Sequence, residues 1–138
     1  MIKIARFKNY AISQEYDGSI EVDKFYENTI GALREVAAII GMNYDDKWNT
    51  RTFGKKLLET IQGRTIKTNE EASSTIGEYV IVKEDNGSIT IYKEYDNTKE
   101  GLREIADEIG FKYDPTWNTR QFGANLIKHL GVSECYED

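Results

Sequence analysis

The feature that most constrains this chain is that it nearly repeats itself. Residues 17–62 align with residues 86–131 at a constant offset of 69 positions, without a gap, and roughly half of the aligned positions are identical. The identities cluster in Gly18-Ser19-Ile20 and Gly87-Ser88-Ile89, in Leu33-Arg34-Glu35 and Leu102-Arg103-Glu104, and in Trp48-Asn49-Thr50-Arg51-x-Phe53-Gly54 and Trp117-Asn118-Thr119-Arg120-x-Phe122-Gly123. Shared residues report what the module needs. Differing residues are candidates for what makes the halves unequal.

Each copy opens with two strand-like runs around a turn. Tyr10 to Gln14 precedes Asp17-Gly18, and Tyr79 to Lys83 precedes Asn86-Gly87. Asp-Gly and Asn-Gly between β-prone runs are strong hairpin signals, because both residues tolerate positive φ. The return strands alternate: Ile20, Val22 and Tyr26 share parity, as do Ile89, Ile91 and Tyr95, which marks one buried face. Asn28-Thr29 and Asn97-Thr98 then supply helix starts, and Leu33, Val36, Ala37 and Ile40 form an apolar stripe, as do Leu102, Ile105, Ala106 and Ile109. Gly41 and Gly110 are placed to end these helices. A second helix begins at Asn49-Thr50 or Asn118-Thr119 and buries Phe53, Leu57, Leu58 and Ile61, or Phe122, Leu126, Ile127 and Leu130.

The predicted fold is therefore α+β: a tandem duplication of a ββαα unit, with antiparallel hairpins, helices packed on one face, and a pseudo-twofold arrangement. The first repeat is assigned to residues 1–63, a polar linker to 64–75 and the second repeat to 76–138. As a flexible coil, the linker would span about 20 Å. Each repeat is short enough to be marginal alone, so a shared core or interface is expected.

The motif from Trp48 or Trp117 onward is the most specific local signal. Asn49 and Asn118 have the chemistry to cap orphan amides. Arg51 and Arg120 are harder to explain, because a cation in the first turn opposes the helix macrodipole. An ion pair with Asp45 or Asp114, or stacking on the adjacent tryptophan, would compensate. The sharper reading is an anion site built from the arginine and the helix start. Gly54 and Gly123, inside helices, point to close helix packing.

Symmetry fails on the first helix. Ile30, Ala38 and Ile39 stand where the second copy has Lys99, Asp107 and Glu108, and Phe25 stands where it has Glu94. The first copy thus carries extra apolar surface for burial internally or against a partner.

Several chemistries lack their residues. His129 is the only histidine and faces Thr60 in the alignment, so no histidine triad or symmetric metal site is expected. Cys135 is the only cysteine, which excludes an internal disulfide. Neither a glycine-rich phosphate loop nor an exposed-nucleophile elbow occurs. Net charge of −6 argues against affinity built on neutralising many phosphates. No run approaches the roughly 20 apolar residues that cross a bilayer, and the amino-terminal residues lack a signal-peptide pattern, so a cytoplasmic location away from membranes is expected.

These observations predict a small non-catalytic intracellular interaction module, without cofactor or metal, binding a protein partner or a second copy of itself. The binding residues are expected among Ile39 and Phe25 of the apolar surface and Trp48, Asn49, Arg51, Trp117, Asn118 and Arg120 of the duplicated motif. The alternative is a nucleic-acid-binding or regulatory protein that uses Arg51 and Arg120 at helix starts.

Overall fold

A computed structural model describes residues 1–137. Along the chain the elements are β1 (Ile2–Phe7), β2 (Tyr10–Gln14), β3 (Ile20–Phe25), α1 (Thr29–Ile40), α2 (Thr50–Gln62), β4 (Ala72–Ile76), β5 (Tyr79–Lys83), β6 (Ile89–Glu94), α3 (Thr98–Ile109), α4 (Thr119–Leu130) and β7 (Glu134–Tyr136). The class is α+β with antiparallel strands, as the residue pattern implies. No helix among the described residues is long and apolar enough to cross a membrane.

The chain forms two compact units that cut across its order. One joins Met1–Phe25 to the chain from Glu94 onward, and the other is the continuous segment Tyr26–Lys93. In the first unit β3, β2, β1 and β7 lie side by side, with Ala5 opposite Ile12 and Ile12 opposite Val22. Ala5, Ile12, Ile20 and Val22 bury against Leu102, Ile105, Ala106, Phe122, Leu126 and Ile127 of α3 and α4. In the second unit β4, β5 and β6 adjoin, with Ile81 opposite Ile91. Those two isoleucines bury against Leu33, Val36, Ala37, Phe53, Leu57 and Leu58 of α1 and α2. The helices that follow β3 in sequence therefore cover β4 to β6, and the helices that follow β6 cover β1 to β3. Segments 64–75 and 76–93, assigned from sequence to a linker and a second repeat, belong to the same unit as the helices before them.

Local chemistry accounts for the helix limits. Asn28, Asn49, Asn97 and Asn118 each accept a hydrogen bond from a backbone amide three residues on, and Gly41, Gly63 and Gly110 end α1, α2 and α3 in the left-handed conformation. The hairpin turns differ from the expected form. Only glycine takes positive φ there, Gly18 at 88° and Gly87 at 90°, while Asp17 and Asn86 use their side chains to accept from the amide and hydroxyl of Ser19 and Ser88. Three-residue loops result, 16–18 and 85–87, closed by Glu15 and Glu84 amides donating to the Ser19 and Ser88 carbonyls.

The polar stretch 64–75 is not a free connection. Ile66 is fully buried, its amide donates to Glu59 Oε2 at 2.9 Å, and β4 begins at Ala72. Lys83 is 2% exposed and donates from Nζ to the carbonyls of Thr68 at 2.8 Å and Glu70 at 2.7 Å. A buried ammonium held by carbonyl dipoles fixes this segment to the strand beside it.

Candidate functional site

The duplicated motif builds a clasp in each unit. Asn49 Oδ1 accepts from the Thr52 amide at 2.8 Å, and Asn118 Oδ1 accepts from Gln121 at 2.8 Å. Gln121 completes a capping box by accepting from the Asn118 amide at 3.0 Å. Trp48 and Trp117 are partly buried, Trp48 edge-on to Phe53 at a centroid distance of 5.8 Å and Trp117 tilted against Phe122 at 6.1 Å. The rings staple the loop ahead of the helix to the core.

The arginines close the clasp on a hairpin turn. Arg51 Nη1 donates to the Asn86 carbonyl at 2.6 Å, and Arg120 Nη1 donates to the Asp17 carbonyl at 2.6 Å. Asn86 and Asp17 are the residues before the turn glycines, where a Cβ on Gly87 or Gly18 would sit 3.1 Å or 3.2 Å from the guanidinium. A charge-assisted hydrogen bond thus offsets the unfavourable place of each cation at a helix start. The acceptors are backbone carbonyls, not the Asp45 and Asp114 carboxylates considered from sequence. Asp45 instead accepts from the Lys47 amide, and Asp114 accepts from the amide and hydroxyl of Thr116, which holds its carboxyl below the usual range.

A second pair of polar contacts was not singled out in the sequence. Tyr79 donates its hydroxyl proton to Glu35 Oε2 at 3.2 Å, and Tyr95 donates to Glu104 Oε2 at 2.5 Å, with Tyr10 also reaching Glu104 at 3.4 Å. Burial and the Glu104 contact push the Tyr95 hydroxyl well above its ordinary value. Tyr10, Tyr26 and Glu35 match Tyr79, Tyr95 and Glu104 at the same offset, so shared identity was the available signal. Glu35 and Glu104 lie off the apolar stripes of their helices, where sequence alone does not name their tyrosine partners.

The apolar candidates differ from the motif. Ile39 on α1 is 60% exposed, and Ala38 beside it is exposed, while Phe25 at the end of β3 is 36% exposed. Phe25 belongs to the first unit and Ile39 to the second. Ile30, by contrast, packs against the core of its unit. On α3 the position equivalent to Ile39 is Glu108, whose carboxylate meets Lys8 Nζ at 2.9 Å.

Asp23 is the most strongly perturbed carboxylate among the described residues. It lines a small cavity with Glu21, Glu94, Tyr95 and Asp96, and burial, then Glu94 and Glu21, raise its pKa to about 6. His129 rests against the Phe111 ring at 4.8 Å. Among the described residues, no group of three or more His, Cys, Asp or Glu side chains converges to hold a metal ion.

Comparisons with protein-family models, with curated proteins and with solved structures find no match. Trp48, Asn49 and Arg51 form one clasp, and Trp117, Asn118 and Arg120 form the other. Ile39 stands on the solvent side of its helix.

Proposed function

We propose that this chain is an internally duplicated, non-catalytic module that binds a protein partner through the outer face of α1. The duplication reading is supported by the two reciprocal clasps, whose donors and acceptors are each 69 positions apart in the sequence. The binding reading rests on one observation above the others: Ile39 remains 60% exposed on a helix whose counterpart carries a paired glutamate there. An exposed branched aliphatic side chain beside an exposed alanine offers apolar area for a partner to cover. The duplicated tryptophans, asparagines and arginines take the structural part, since each has an internal hydrogen-bonding or ring partner. Ile39 is accordingly the leading contact residue.

A photoreactive phenylalanine analogue at position 39 tests this in cells. One discrete protein adduct is expected at position 39 and none at position 108, and Ile39→Asp in competing unlabelled protein should no longer suppress the adduct. Thermal stability of Ile39→Asp should stay within about 0.5 kcal/mol of the parent, as for other exposed positions. Equal labelling at both positions, or equal competition by the variant, would contradict the proposal.

A further inference from the structure

The second unit contains a cavity of about 250 Å³ lined by Arg51, Thr52, Lys55, Thr68, Lys83, Asn86 and Gly87. Three of these side chains are cations, two are hydroxyls and none is a carboxylate. That composition runs against a chain of net charge −6. Lys83 is the buried one, and its three short contacts are all to neutral carbonyls, those of Thr68, Glu70 and Glu84. The Glu70 carboxylate is engaged elsewhere, 2.7 Å from Arg64 Nη2. Buried charges are ordinarily paired with an opposite charge, and no carboxylate among the described residues forms an ion pair with Lys83.

The other lining cations retain donors. Arg51 commits Nη1 to the Asn86 carbonyl, leaving most of its five N–H groups unused. Lys55 is partly exposed, and no side-chain partner is assigned to it among the described residues. Both project from the first turns of α2, a helix of 13 residues whose positive dipole end adds to the field. Positions 69 residues away keep the arginine but replace the other cations: Ala124 stands for Lys55 and Gln14 for Lys83. Only in the second unit do two lysines share a cavity with the clasp arginine; the cavity beside Gln14 and Ala124 in the first unit is lined by Lys3 and Lys128 but not by Arg120.

We propose that this cavity binds a phosphate dianion, either free or as the phosphoryl group of a small ester. Its chemistry suits a compact tetrahedral anion: the remaining guanidinium donors of Arg51, the Lys55 ammonium and two threonine hydroxyls, with the charge of Lys83, whose own donors are spent on carbonyls, adding to the field. Its volume lies below the range of about 300 to 1,000 Å³ typical for larger ligands, which favours one phosphoryl group with few attached atoms. The site is separate from the α1 face and does not depend on it.

The test is a titration of the intact protein with inorganic phosphate, at constant ionic strength held with chloride, read by amide chemical shifts. Saturable shifts are expected at Thr52, Lys55, Thr68 and Gly87, with only weak linear drift at Gln121, Ala124 and Gly18. Lys55→Ala, which copies the residue of the other unit, should weaken binding about tenfold, and Lys55→Arg should restore most of it. Lys55 has no packing role comparable to that of Lys83, so its variants separate binding from folding. Glycerol 3-phosphate titrated in parallel distinguishes the two sources, and saturation by either supports the site. Non-saturating shifts with both small anions, a response only to an oligonucleotide, or an affinity unchanged in Lys55→Ala would overturn it.

Discussion

Asp17 and Asp23 lie a few residues apart in the first unit and are perturbed in opposite directions. The Ser19 hydroxyl and amide hold the Asp17 carboxyl below the usual range, with Arg120 nearby adding to the effect. Asp23 is raised from 3.8 to about 6, because partial burial and the neighbouring Glu94 and Glu21 all disfavour its charge. The folded state therefore holds a proton on Asp23 over a pH range where the unfolded chain has released it. Stability gained from this group is present at low pH and is lost as pH rises from about 4 through about 6. Asp23→Asn should stabilise the protein at pH 7.5 by about 1 kcal/mol, a figure reduced from the full linkage value for solvent screening at a half-buried group. The advantage should shrink toward zero as the pH of chemical denaturation is lowered to 4. A pH-independent effect would point to a different cause. This circumstance was not legible in the sequence, because Glu94 is remote along the chain. The same limit applied to Arg51 and Arg120: their need for compensation was readable from the helix dipole, but the turn carbonyls that supply it come from distant residues.

At the scale of elements, helices were more legible than strands. Caps at Asn28, Asn49, Asn97 and Asn118 and the apolar stripes are local, and the structure has α1 to α4 where they predict them. Strands β1, β4 and β7 were not anticipated. Strand β4 reads Ala-Ser-Ser-Thr-Ile, a polar sequence that pairing with β5 holds as a strand. Polarity therefore suggested a linker, and neither the burial of Ile66 nor the reach of Lys83 leaves a local trace. Gly54 shows the opposite case, a local oddity with a packing cause. A Cβ at Gly54 would lie 2.5 Å from two carbons of Ile89, and one at Gly123 would lie 2.5 Å from Ile20 Cγ1. Alanine would gain about 1 kcal/mol in helix propensity, but overpacking against a stiff β-branched side chain costs about 1 to 3 kcal/mol, so the clash wins. Gly54→Ala should therefore lower unfolding free energy by about 1 kcal/mol or more in a denaturant titration. Ile89→Ala should cost less in that background than in the parent, since it removes the clashing atoms. A stabilising Gly54→Ala would show that the approach of helix to strand is looser than described.

For the whole molecule, the duplicated pattern indicated which residues are apolar but not which partner they meet. Two similar sets of strands and two similar sets of helices can be matched in more than one way, and local propensity is the same for each. The structure matches α1 and α2 with β4 to β6, and α3 and α4 with β1 to β3. Tyr26, just after β3, donates its amide to the Ile91 carbonyl at 3.4 Å, and Tyr95, just after β6, donates to Val22 at 3.1 Å. Each chain segment thus leaves its strand already bonded to the unit its helices will cover. This exchange explains why the arginine of one half clasps the turn of the other. Nuclear Overhauser contacts in the monomeric 138-residue chain distinguish this exchange from two halves that each fold alone. The Gly54 α-protons should show contacts to the Ile89 methyl groups, and those of Gly123 to the Ile20 methyl groups. Contacts from Gly54 to Ile20 and from Gly123 to Ile89 would instead mean that each half folds on itself, and would contradict the exchange.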